Sequence, residues 1–157
     1  METTRHFTAT VYVVHDGATA LHKHAKLDMW LPPGGHIDRD ELPHKTAVRE
    51  VEEEIGMEPS LVASVADIET AVAHSIPQPQ QFLLFDVDVY EGEVAHQHID
   101  FVYYGSVDHR DITPQAGEAP AEDWEWFTIS DLRENRERLE SDVVKVGCEA
   151  IEMVEQK

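Results

Sequence analysis

A mixed α/β fold follows from three features of this 157-residue sequence. Several stretches alternate apolar and polar residues with the period of a strand. One stretch in the first third carries the apolar spacing of an amphipathic helix between Pro43 and Gly56, and strands and helices then intermingle without an internal repeat or a low-complexity tract. The length suits one domain, taken as residues 1–157, and 41% hydrophobic residues suffice for a core despite 28% charged ones.

From His6 to His15 the residues are β-branched and aromatic, and the turn signal Asp16-Gly17 leads into a second run, Ala18 to His24, so this part reads as a hairpin. The Pro- and Gly-dense stretch Trp30-Leu31-Pro32-Pro33-Gly34-Gly35 predicts a shaped loop. Pro43 suits the first turn of a helix that runs through Ile55 and stops at Gly56. Strand alternation returns at Leu61 to Ile68, Phe82 to Tyr90 and Val94 to Tyr104, with a loop at residues 75–80. Trp124 to Phe127 is a short strand. Ser130 is placed to cap a helical turn from Asp131, and Glu137 to Val154 carries a helical pattern.

Acidic residues number 32 against 12 basic ones, a formal net charge of -20 spread along the whole chain. Such a field repels nucleic acid and excludes a duplex-reading surface. With only five lysines, the composition is that of proteins from salt-loving microbes, whose solvated acidic surface keeps them soluble. The single Cys148 has no partner for a disulfide within the chain or for a cysteine zinc cluster, and is expected to pack on the C-terminal helix. No basic leader precedes an apolar run, and no stretch approaches membrane-spanning length, so a cytoplasmic location without a membrane partner is expected.

The central helix carries Arg49-Glu50-Val51-Glu52-Glu53-Glu54-Ile55-Gly56. Glu50, Glu53 and Glu54, at relative positions 0, +3 and +4, share one helical face, while Val48, Val51 and Ile55 form an apolar stripe that packs on a sheet. Crowded carboxylates repel one another unless a cation sits between them, and all-oxygen ligation suits Mg²⁺, with Mn²⁺ as the alternative. On the three glutamates alone, a solvated acidic helix is the simpler reading. Upstream spacing changes this. Gly35, five residues, Glu41, seven residues, Arg49-Glu50, Val51, one residue, Glu53-Glu54, one residue, Gly56 and Met57 reproduce a complete Nudix box, and over these 23 residues the chain resembles the Nudix (MutT-like) hydrolases.

The resemblance implies an αβα sandwich with a mixed β-sheet between helices. It implies that Glu50, Glu53 and Glu54 ligate metal, that Arg49 orients a glutamate, that Gly35 gives the loop its tight shape and that Glu41 braces the loop and helix. Family members cut a diphosphate linkage in a nucleoside diphosphate derivative by attack of water on phosphorus. Candidates are ADP-ribose, dinucleoside polyphosphates and oxidised nucleoside triphosphates. A carboxylate, Glu53 ahead of Glu50, takes the proton. Many relatives draw a further acidic residue from a late loop, for which Glu118 and Glu122 are the candidates, and many form homodimers. The alternative is a ligand-sensing module with little catalysis, which the intact box disfavours.

Outside the box, histidine is frequent. His22 and His24 share one face of a strand, as do His96, His98 and Asp100, and either set could form a second metal site or a phosphate-contacting edge. His36, directly after the loop glycine, is a candidate for contact with substrate phosphate. Trp30, Phe82, Tyr103 and Tyr104 are expected in the core in preference to stacking a base.

Overall fold

The computed structural model describes residues 2–156. Strand β1 (Thr4–His15) turns back into β2 (Ala18–His24) through Asp16 and Gly17, at φ 48° and 75°. Two successive left-handed residues make the tight turn whose twist matches that of the strands it joins. The segment expected as one loop instead forms two three-residue strands, β3 (Met29–Leu31) on β2 and β4 (Gly34–His36) on β1. Pro32 and Pro33 confine the irregular backbone to the junction, leaving the flanking residues free to pair.

Helix α1 (Pro43–Ile55) begins and ends where its signals put it, with Gly56 at φ 75° donating its N–H to the carbonyl of Glu52. The expected strand over Leu61 to Ile68 shrinks to β5 (Ser60–Leu61). Its partner is β7 (Glu93–Ser106), and the reason is competition for that partner's edge. β6 (Gln81–Tyr90) pairs with β7 from Glu93 to Val102, leaving only the last residues of β7 for β5. The other edge of β7 runs parallel to β1 over Thr4 to Val14.

β8 (Trp124–Thr128) adds to β2. Helix α2 (Ile129–Glu134) is capped by Thr128, not by Ser130: the Thr128 hydroxyl accepts from the Asp131 N–H, and the Asp131 carboxylate accepts from the Thr128 N–H. Helix α3 (Ser141–Glu155) starts four residues later than its apolar pattern suggests, because Arg138 and Leu139 donate to the Asn135 carbonyl in a separate turn.

Alternation along β1 divides the core. Ala9, Val11 and Val13 face α1, where Ala47, Val51 and Ile55 are fully buried against them, and Ala47 takes the place expected for Val48. Tyr12 and Val14, with Leu21, Val102 and Tyr104, face α2 and α3 through Leu132, Val143, Ala150 and Ile151. Each fully buried aliphatic side chain contributes about 1.5–3 kcal/mol. Tyr103 and Tyr104 lie in the core and Trp30 packs beside Phe127, whereas Phe82 is exposed on β6. The result is a mixed sheet between helices. Toward the start of β1, the face carrying Tyr12 becomes polar, and Thr8 and Thr10 both donate to a buried Asp100 oxygen at 2.9 Å. Among the described residues, no helix is long and apolar enough to cross a membrane.

Candidate active site

Helix α1 is anchored by its apolar stripe, so the glutamate flank beside that stripe is held at a set height above β4. Glu54, at the buried end of that flank, accepts from the Gly34 N–H at 2.8 Å. A Cβ on Gly35 would lie 2.3 Å from the Glu50 Oε1. Glycine is required here for close approach and not for a tight turn, since Gly35 pairs with Ala9 within a strand. Helix and strand thus press the Glu50 and Glu54 carboxylates onto the backbone of β4.

Arg49 ties the cluster to the loop. Its Nε and Nη2 grip both oxygens of Glu41 at 2.7 and 2.8 Å, while Nη1 donates to Glu50 at 3.1 Å and to Glu53 at 3.1 and 3.2 Å. A planar guanidinium makes this bidentate grip and a third contact at once, which an ammonium does not. Glu41 also accepts from the Thr46 hydroxyl at 2.8 Å, so it joins the loop to the first turn of α1. The hydrogen bonds from Arg49 pull the Glu41 carboxyl down to about 2.

The charges on the inner side of the cluster are unbalanced. Burial pushes the Glu54 carboxyl up to about 9; the Gly34 N–H opposes this, and the charges of Glu50, Glu118 and Glu53 add to it. Glu50 is raised in the same way, chiefly by burial, with Arg49 opposing. Arg49 reaches Glu50 and Glu53, and among the described residues the one basic side chain near Glu54 is His22, at 3.9 Å. Burial lowers His22 to about 4 and disfavours its protonated form, so His22 gives the Glu54 carboxylate no counter-charge. A hard divalent cation fits such a donor set: oxygen ligands only, and a buried carboxyl whose ionised form lacks a counter-charge. Glu50, Glu53 and Glu54 are the residues able to hold it.

The remaining candidates separate. Glu118 lies close enough for its charge to act on Glu50 and Glu54, on a loop docked to α1 through the Gln115 N–H and the Glu53 carbonyl at 2.9 Å. Glu122 is exposed in a 3-10 turn, Ala121–Asp123. His22 stacks on Trp124 at 4.5 Å and faces Glu54, a placement that its alternation with His24 did not reveal. The His36 ring turns away from the glutamates to the other face of the sheet, toward His6 and His98. Asp100 is engaged by its two threonines rather than by His96 and His98.

The NUDIX domain family model matches residues 4–146. Comparison with curated protein sequences gives no match. Among solved structures, the chain is similar to a NUDIX-family hydrolase from Clostridium perfringens, with 31% identity, a TM-score of 0.82, and coverage of 96% of this chain and 98% of that one. It shares its fold with the Escherichia coli dihydroneopterin triphosphate pyrophosphohydrolase, at 15% identity, a TM-score of 0.58 and 96% of each chain. The Ap4A hydrolase of Caenorhabditis elegans has the same fold at 15% identity, a TM-score of 0.52, and coverage of 97% of this chain and 96% of that one. With the family model matching residues 4–146 and a relative at 31% identity covered almost end to end, the chain belongs to the Nudix hydrolases.

Proposed function

We propose that this chain, acting as a single Nudix domain, hydrolyses a diphosphate linkage in a nucleoside diphosphate derivative with Mg²⁺ held by Glu50, Glu53 and Glu54. The observation that carries the reading is the meeting of α1 and β4, where a glycine backbone lets two carboxylates close in while Arg49 holds the third. Nudix hydrolases use divalent metal ions. A cation bound at these carboxylates would neutralise phosphate charge and lower the pKa of a water. Glu53 is the most exposed of the three side chains and is the best placed to take the proton from water entering from solvent, with Glu50 next. Arg49 orients Glu53, Glu41 braces Arg49, and Glu118 supplies a further negative group from its loop.

The fold relatives named above act on a dinucleoside polyphosphate and a pterin triphosphate, which supports a phosphoanhydride substrate without choosing one. A panel of ADP-ribose, dinucleoside polyphosphates and oxidised nucleoside triphosphates, run with Mg²⁺ and with Mn²⁺ at low and at molar salt, tests the reading. Metal-dependent release of a phosphate-containing product is expected, with activity kept at molar salt as the net charge of -20 suggests. Binding of nucleotides without turnover across the panel would overturn it.

A further inference from the structure

Four imidazoles converge on the sheet face opposite α1. His6 comes from β1, His36 from β4, and His96 and His98 from β7. Register explains the convergence. His6 lies beside His98, Thr4 beside His96, and Thr8 beside His36, so strand alternation sends all four side chains to one face. Ring centroids are 4.6 Å apart for His6 and His96, 5.0 Å for His6 and His36, 5.0 Å for His36 and His98, and 5.1 Å for His96 and His98. One nitrogen from each of His6, His96 and His98 lies within 4.8 Å of the others, and Nε2 of His36 is 3.3 Å from Nε2 of His98.

These distances are within reach of a metal's requirements. With Zn–N bonds of about 2.0–2.1 Å, tetrahedral ligand nitrogens stand roughly 3.3–3.4 Å apart. The His36 and His98 pair already has that spacing, while the nitrogens of His6, His96 and His98, within 4.8 Å of one another, would have to draw in on a bound ion. His96 is further prepared, because its Nδ1 lies 2.8 Å from the Thr4 hydroxyl, which as acceptor of the Nδ1–H leaves Nε2 free to bind. Nitrogen donors favour zinc and its neighbours, whereas Mg²⁺ prefers oxygen, so the two clusters select different ions.

We propose that His6, His36, His96 and His98 form a site for a borderline divalent transition-metal ion, with Zn²⁺ as its representative, separate from the glutamate cluster. The site has a mechanical link to the other one. His36 directly follows Gly34 and Gly35, which meet Glu54 and Glu50, so a cation gripping His36 ties β4 to β1 and, across β1, to β7, and steadies the backbone beneath the glutamates.

The test is calorimetric titration of Zn²⁺ into untagged protein in excess Mg²⁺, with Co²⁺ absorption as a report on nitrogen ligation. One saturable Zn²⁺ per chain is expected, retained in Glu53→Gln. Affinity should fall at least about tenfold in His98→Ala, and binding should vanish when His96→Ala is added. Metal-free melting and circular dichroism check that the variants fold. If the double variant does not, His6→Ala and His36→Ala, both at exposed positions, should each weaken binding by a similar factor. Absence of saturable binding under excess Mg²⁺ would overturn the proposal, as would stoichiometric binding that survives loss of the histidines or disappears with Glu53→Gln. None of these outcomes depends on hydrolysis, so the site and the proposed reaction fail separately.

Discussion

The glutamates of α1 and the histidines of β1, β4 and β7 lie on opposite faces of one sheet, joined through three residues of β4. The first cluster is built within one turn and a half of helix, so its geometry follows the helix period, and an arginine from the same turn balances part of its charge. The second is built from three strands, and its convergence depends on the register of two pairings, β1 with β7 for His6, His96 and His98 and β1 with β4 for His36. Oxygen donors with an arginine hub suit a hard cation that shares its shell with phosphate. Clustered imidazoles suit a borderline cation with a closed shell. Two chemistries are therefore kept apart by the alternation of a single short strand, Gly35 facing one way and His36 the other.

The strongest way to break this separation is Glu53→Gln, which should lower kcat by roughly 10²–10⁴-fold if Glu53 takes the proton, with melting temperature unchanged. A variant retaining full rate would remove Glu53 from that role. Gly35→Ala comes next: its methyl must displace the Glu50 carboxylate, and a misplacement of that size should reduce kcat by on the order of 10²-fold. Steady-state kinetics alongside circular dichroism would show whether the loss is local. Arg49→Lys keeps the charge but loses the two-pronged grip on Glu41, and about tenfold lower activity is expected.

Two smaller effects concern stability. The Glu41 carboxyl is depressed to about 2 by Arg49, below its unfolded value near 4.5, so its contribution is present above that unfolded value and is lost as pH falls toward about 2. Melting curves of wild type and Glu41→Gln should differ near neutral pH and converge across this acid window. Parallel curves down to the lower limit would deny the coupling. Thr128→Ala removes the cap of α2, whose side-chain hydrogen bonds involve neither cluster, and should cost about 1 kcal/mol in denaturant titration without changing kcat or metal affinity.

Elements whose signals are local were legible residue by residue. Pro43 and Gly56 bound α1 as expected, and Asp16-Gly17 makes its turn. Local signals are overridden where elements compete for partners. Leu61 to Ile68 alternates like a strand yet loses the edge of β7 to β6, and Phe82 has the composition of a core residue but sits on the outer strand β6, exposed beside Phe101 on the α1 side of the sheet. Thr128 outcompetes Ser130 as a cap because Asp131 completes the reciprocal pair from Thr128. In the site, helical spacing revealed Glu50, Glu53 and Glu54, but not the approach of Gly35 to Glu50 nor the contact of His22 with Glu54.

The sequence by itself determined the mixed α/β class, the central helix and the family, because a box of 23 residues writes helix period, caps and chemistry into adjacent positions. Tertiary structure alone decided which histidines meet. His96 and His98 were visible as a pair, but their partners are His6 and His36, and Asp100 goes to two threonines. The physical reason is register: a strand's alternation shows which residues share its own face, while only the hydrogen-bonded ladder shows which residue of another strand lies beside them.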